Sequence, residues 1–122
     1  MATSPSTSRI PPNPLLYVFM NTMVASVRSD GPDLTARQLA TFLKIYLEPA
    51  TDHTVRGLAA VLNVSRPVIT RALDRLEEFD FTKRETDLKD RRSVIARRTL
   101  TGSAYLRTLS GYLNEASKQG KK

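Results

Sequence analysis

The sequence has 122 residues, enough for one domain with its own core and too few for two full ones. Lysine and arginine outnumber aspartate and glutamate by 19 to 12, a formal net charge of +7, so a polyanion is the first partner to consider. Cysteine is absent, which excludes disulfides, thiolate metal sites and a thiol redox switch within the chain.

Residues 1–12 are rich in serine, threonine and proline with no apolar period, and are expected to form a disordered arm. Order is expected from Asn13, which can cap a helix whose first position is Pro14. Leu16, Phe19, Met20, Met23, Val24 and Val27 then recur at helical spacing as far as Arg28, and Gly31 and Pro32 stop the helix. Asn21 and Thr22 interrupt this run, which falls short of the roughly 20 apolar residues a spanning helix needs. No membrane segment is expected.

A second helix starts from Thr35, carries Leu39, Phe42, Leu43, Tyr46 and Leu47 on one stripe, and ends before Pro49. A third, short helix follows Thr54, with Val55, Leu58, Ala59 and Leu62 turned inward. Asn63 then stands where a tight turn calls for a left-handed residue. Ser65 caps a fourth helix whose buried stripe is Val68, Ile69, Ala72, Leu73 and Leu76, with Arg66, Pro67, Thr70, Arg71 and Asp74 on the opposite face.

After Phe79 the period changes. Phe81 to Glu85 and Ser93 to Leu100 read as two strands around a charged loop, Thr86 to Arg92. Thr101 is expected to cap a last helix through Tyr105, Leu106, Leu109, Tyr112 and Leu113, with residues 119–122 as a disordered tail. The order is thus α-α-α-α-β-β-α: a mostly α fold with a β-hairpin wing, ordered over residues 13–118.

A short helix, a tight turn around Asn63 and Val64, and a second helix with a hydrophilic outer face form a helix-turn-helix, in which the second helix enters the major groove of double-stranded DNA. The hairpin after it concentrates cations at its tip, Asp87-Leu88-Lys89-Asp90-Arg91-Arg92. A tip of that size reaches a neighbouring minor groove, whose negative potential attracts arginine. Recognition helix 65–78 and wing 81–99 are therefore the candidate interface. On the helix, Arg66 and Arg71 can donate to guanine O6 and N7 or to phosphate, Thr70 offers a hydroxyl and a methyl, and Pro67 can touch a thymine methyl. Ser65, at the helix N-terminus, is placed for phosphate. Arg75 lies further along, where it meets the DNA backbone or pairs with Asp74 or Glu78. Among the strand cations Lys83, Arg84, Arg97 and Arg98, about half are expected to face water.

Three segments resemble the MarR (multiple antibiotic resistance regulator) family of winged-helix proteins: Leu34 to Leu39, Val64 to Glu77, and Lys83 to Val94 continued by Leu100-Thr101-Gly102. The resemblance implies that Arg92 is the wing arginine that enters the minor groove, that Asp90 positions the wing, and that Arg91, beside Lys89, meets phosphate or groove edge. It also implies a homodimer built from residues 14–28 and 102–117, and an effector pocket for a small aromatic compound. It implies a cytoplasmic, nucleoid-associated regulator with no cofactor. The sequence departs from the family pattern in carrying Asp80 where a glycine is usual, and in having about one helix after Thr101 where two are usual.

An enzyme is not expected, because no carboxylate pair, Ser/His/Asp set or metal-ligand spacing occurs and His53 is the only histidine. The rival readings are a winged-helix protein-interaction module and a nonspecific architectural DNA binder.

Overall fold

A computed structural model of the chain describes residues 13–119. The expected N-terminal arm, residues 1–12, lies outside the described residues, as do residues 120–122 of the expected tail. Among the described residues, five helices and three strands follow in order: α1 (Pro14–Arg28), α2 (Ala36–Leu47), β1 (His53–Thr54), α3 (Val55–Leu62), α4 (Arg66–Glu78), β2 (Thr82–Thr86), β3 (Val94–Arg98) and α5 (Leu100–Gln119). The backbone divides into two compact units, residues 32–108 and the segments up to residue 31 and from 109 on.

In the second of these units, Asn13 Oδ1 accepts from the Leu15 amide at 2.9 Å and Pro14 opens the helix, as the capping preferences dictate. Thr22 is buried and turns its hydroxyl back onto the Val18 carbonyl. Leu15, Leu16, Tyr17, Phe19, Met20, Val24 and Val27 remain exposed on α1, and Leu113 is half-exposed on α5.

The unit of residues 32–108 is built around Phe42. Its ring stacks on Tyr46 with centroids 4.4 Å apart and meets Tyr105 edge-on at 5.3 Å. Phe81 in turn stacks on Tyr105 at 4.4 Å. Ile45, Leu58, Ile69, Leu73, Leu76 and Ile95 close the core, each contributing about 1.5–3 kcal/mol by leaving water. α2 presents Thr41, Phe42, Ile45 and Tyr46 to this core while Leu47, expected on the same stripe, is exposed. The helix begins in a capping box: the Thr35 hydroxyl accepts from the Gln38 amide, and the Gln38 side chain accepts from the Thr35 amide.

The sheet has the order β1-β3-β2 and is antiparallel throughout. β2 and β3 form the expected hairpin, paired from Thr82↔Arg98 to Thr86↔Val94. β1 was not legible, because two residues display no alternation. It pairs His53 with Ala96 and Thr54 with Ile95, which ties the start of α3 to the wing.

The start of α5 also differs from the expectation. Its cap is Thr99, whose hydroxyl accepts from the Gly102 amide at 2.9 Å, while the Thr101 hydroxyl donates to Asp80 Oδ2. Gln119, expected in the tail, is the last residue of that helix.

Candidate nucleic-acid interface

The helix-turn-helix is fixed at three points. Thr54 caps α3 by accepting from the Gly57 amide at 2.9 Å. Asn63 ends the helix in the left-handed region, φ 55° and ψ 49°, and the Val64 amide reaches back to the Ala59 carbonyl at 3.0 Å. Ser65 then occupies the N-cap of α4, and Pro67 sits in the first turn, where its missing N–H costs nothing. The Ser65 hydroxyl makes no capping bond and remains available at the helix N-terminus. Burial of Ile69, Ala72, Leu73 and Leu76 fixes the rotation of α4, so Arg66, Pro67, Thr70, Arg71 and Asp74 face outward and are exposed.

The wing tip is organised by its two aspartates. The Asp87 amide donates to the Ser93 carbonyl at 3.0 Å and the Ser93 amide to the Asp90 carbonyl at 2.8 Å. Asp87 Oδ1 accepts from the Lys89 amide, and the Asp90 carboxylate accepts from the Arg92 amide and the Ser93 hydroxyl. The acidic groups of the tip are turned into the loop. Lys89, Arg91 and Arg92 are exposed, and none of them takes part in an ion pair among the described residues.

Arg66, Pro67, Thr70 and Arg71 of α4 and Arg92 of the wing line one open cleft of about 690 Å3, together with Thr54, Val55 and Arg56 of the α3 N-terminus and Ser93 and Val94. Among the described residues, no aspartate or glutamate lines it. Arg56 is the charged cleft residue that the sequence pattern did not disclose. Pairing of Thr54 with Ile95 brings the α3 N-terminus beside β3, and Arg56 follows two positions later. One signal was present: Arg56 stands in the first turn of its helix, where a cation opposes the macrodipole and adds nothing to helix stability.

Ser65, Lys89, Asp90 and Arg91 lie outside the cleft lining. So does Arg75, whose Nη1 donates to Glu78 Oε1 at 2.8 Å and whose guanidinium lies over the Phe79 ring at 4.6 Å. Three of the four strand cations are ion-paired, more than the expected half: Lys83 Nζ lies 3.7 Å from Glu85 Oε2 at the exposed edge of β2, and the other two are Arg84 and Arg97. Arg84 binds Glu77 and Asp74, and the Glu77 carboxylate beside it raises the guanidinium above its ordinary range against the opposing effect of partial burial. Arg97 donates to Glu85 and Asp52, each at 3.1 Å, and bridges the outer strand β2 to the segment before β1. His53 approaches the Glu48 carbonyl through Nε2 at 2.7 Å. No group of three or more His, Cys, Asp or Glu residues placed to hold a metal ion occurs among the described residues, and no helix there is long and apolar enough to cross a membrane.

The MarR family profile matches residues 34–94. No curated protein sequence matches the chain. Among solved structures, the crystal structure of MarR is 27% identical with a TM-score of 0.62, covering 86% of this chain and 72% of its own. MepR of Staphylococcus aureus, solved as a DNA complex, is 20% identical with a TM-score of 0.71, covering 89% and 90%. MepR bound to ethidium bromide is 18% identical with a TM-score of 0.67, covering 97% and 80%.

Proposed function

The chain belongs to the MarR family, and from that premise we propose that it is a transcriptional regulator that binds double-stranded DNA sequence-specifically. One observation carries the reading: Arg56, Arg66, Arg71 and Arg92, from three different elements, converge on one cleft that no carboxylate lines. Such a surface matches a ligand with regularly spaced negative charge.

In this reading α4 enters the major groove, where Arg66, Thr70 and Arg71 address base edges and Pro67 a thymine methyl. Arg92 enters the adjacent minor groove. Ser65, with its unengaged hydroxyl, and Arg56 hold phosphates, while Lys89 and Arg91 follow the backbone beyond the tip. Asp90 acts through the loop it organises, and Arg75, paired with Glu78, contributes little. The role is one of binding and regulation, without catalysis or cofactor.

A homodimer is supported by the exposed apolar face of α1, since a patch of that kind on a water-exposed helix marks an interface. Two-fold symmetry then predicts a pseudo-palindromic operator with half-sites about one helical turn apart. The MepR structure that holds ethidium supports a small aromatic effector, and a nucleoid-associated protein of the cytoplasm is the corresponding location.

Selection of random duplexes on the purified protein at two salt concentrations tests the assignment. A palindromic motif is the expected result. Recovery without a motif would instead make the chain an architectural binder, and no recovery at low salt would make it a protein-interaction module.

A further inference from the structure

The cations that line the cleft sit on separate elements, so their spacing is set by whatever joins the recognition helix to the wing. The backbone link is short: α4 ends at Glu78, β2 starts at Thr82, and Asp80 between them has φ 60°. One ion-pair cluster crosses the same gap. Arg84 Nε donates to Glu77 Oε2 at 2.7 Å, and its Nη2 donates to Glu77 Oε1 at 3.0 Å and to Asp74 Oδ1 at 2.5 Å. It is the one ion-paired cluster that joins α4 to the sheet among the described residues.

We propose that Arg84 is a positioning residue for DNA recognition, clamping the wing to the recognition helix so that Arg92 and Arg71 engage neighbouring grooves as one rigid unit. The proposal rests on the DNA-binding reading and adds to it a residue that does not touch DNA. The fork geometry supports the role, because a guanidinium held on both oxygens of one carboxylate fixes direction as well as distance. Partial burial supports it too: the Arg84 side chain is 26% exposed and that of Glu77 30%, so solvent screens this pair less than the pairs at the surface. Arg84 also stands opposite Ala96 of β3, so fixing it fixes the strand that begins two residues after Arg92.

There is an electrostatic side to the same contact. Asp74 lies four residues after Thr70 and three after Arg71, on the outward face of α4. Uncompensated, its carboxylate and that of Glu77 would repel the phosphates that α4 approaches. Arg84, paired with both, offsets one of these two charges where they stand.

The test compares the full chain with Arg84→Met, Arg84→Lys and the neutralised triple variant Asp74→Asn/Glu77→Gln/Arg84→Met. The probes are the selected duplex and a version with only its flanking base pairs changed. Arg84→Met is expected to weaken binding by about tenfold and to bring the ratio of affinities for the two duplexes close to one. Arg84→Lys keeps the charge without the fork, so it should hold affinity better while losing the same discrimination. The triple variant should regain affinity without regaining discrimination. Unchanged discrimination in Arg84→Lys overturns the proposal while leaving DNA binding intact, as does full recovery in the triple variant, which would reduce Arg84 to a charge mask. Failure of the wild-type chain to select any motif strikes the DNA reading instead. The clamp itself is then read without DNA, by amide hydrogen exchange: β2 and β3 should exchange faster in Arg84→Lys while α2 is unchanged, and equal protection overturns it.

Discussion

The hydroxyl of Tyr46 fills the space into which a side chain on Gly102 would project. That hydroxyl donates to the Phe81 carbonyl at 2.6 Å and accepts from the Thr99 amide at 2.9 Å, so it joins α2 to the two ends of the hairpin. A Cβ on Gly102 would overlap the hydroxyl, the Tyr46 ring carbon that bears it and the Phe81 carbonyl oxygen. Gly102→Ala is therefore expected to destabilise the fold by about 2–4 kcal/mol, read as a lower urea midpoint. Combining it with Tyr46→Phe relieves the most severe of the three overlaps, so the double variant should be less destabilised than the sum of the singles. Strict additivity would contradict this packing.

Asp80 and Asn63 are the non-glycine residues with positive φ, 60° and 55°, among the described residues. A left-handed backbone strains any residue with a Cβ, and Asp and Asn tolerate it better than alanine does. Asp80→Ala should cost about 1 kcal/mol, increased by loss of the Thr101 hydroxyl contact. Asp80→Gly should match or exceed the wild type in thermal midpoint. An alanine variant as stable as the glycine one would show that the strain is absent.

The two strained positions also show what was legible beforehand. Asn63 was readable because a polar residue that tolerates the left-handed region, standing between two amphipathic periods, points to a tight turn. Asp80 was readable only against the family pattern, where glycine is usual. Cleft residues on α4 were legible because burial of Ile69 and Leu73 forces their opposites outward. Arg56 was not, since its position depends on the pairing of Thr54 with Ile95, across about forty residues of sequence, which no local pattern encodes. Arg84 and Arg97 were likewise ambiguous: a strand cation faces water or a carboxylate according to which helix packs nearby. The cap of α5 was expected at Thr101 because either of two threonines separated by one residue can serve; the contact with Asp80 decides in favour of Thr99.

Phe42 is fully buried and touches three other aromatic rings. Phe42→Ala should cost about 3–5 kcal/mol, a large share of the stability of a domain this size. Phe42→Leu refills most of the volume and should cost far less. The comparison is made by denaturant unfolding with the slope held constant. Similar losses for both would mean that ring stacking, rather than volume, dominates at this site.

Three of the four arginines of the cleft, Arg71, Arg56 and Arg92, should behave in three distinct ways when each is replaced by alanine. Arg71, on the outward face of α4, reads a base in the proposed complex, so Arg71→Ala should cost roughly 1–3 kcal/mol and relax preference at one position of the motif. In the same proposed complex Arg56, at the start of α3, meets phosphate. Its loss should weaken all sequences alike and reduce the dependence of log Kd on log salt by about one unit. Arg92→Ala should weaken binding with loss of preference in the flanks, because groove width rather than base edges attracts it. Arg75 supplies the control: its guanidinium is committed to Glu78 and to the Phe79 ring, so Arg75→Ala should leave motif and salt slope nearly unchanged. Should Arg75→Ala weaken binding as much as Arg71→Ala, the helix would lie in the groove at a different angle, with its C-terminal half rather than its N-terminal half against the bases.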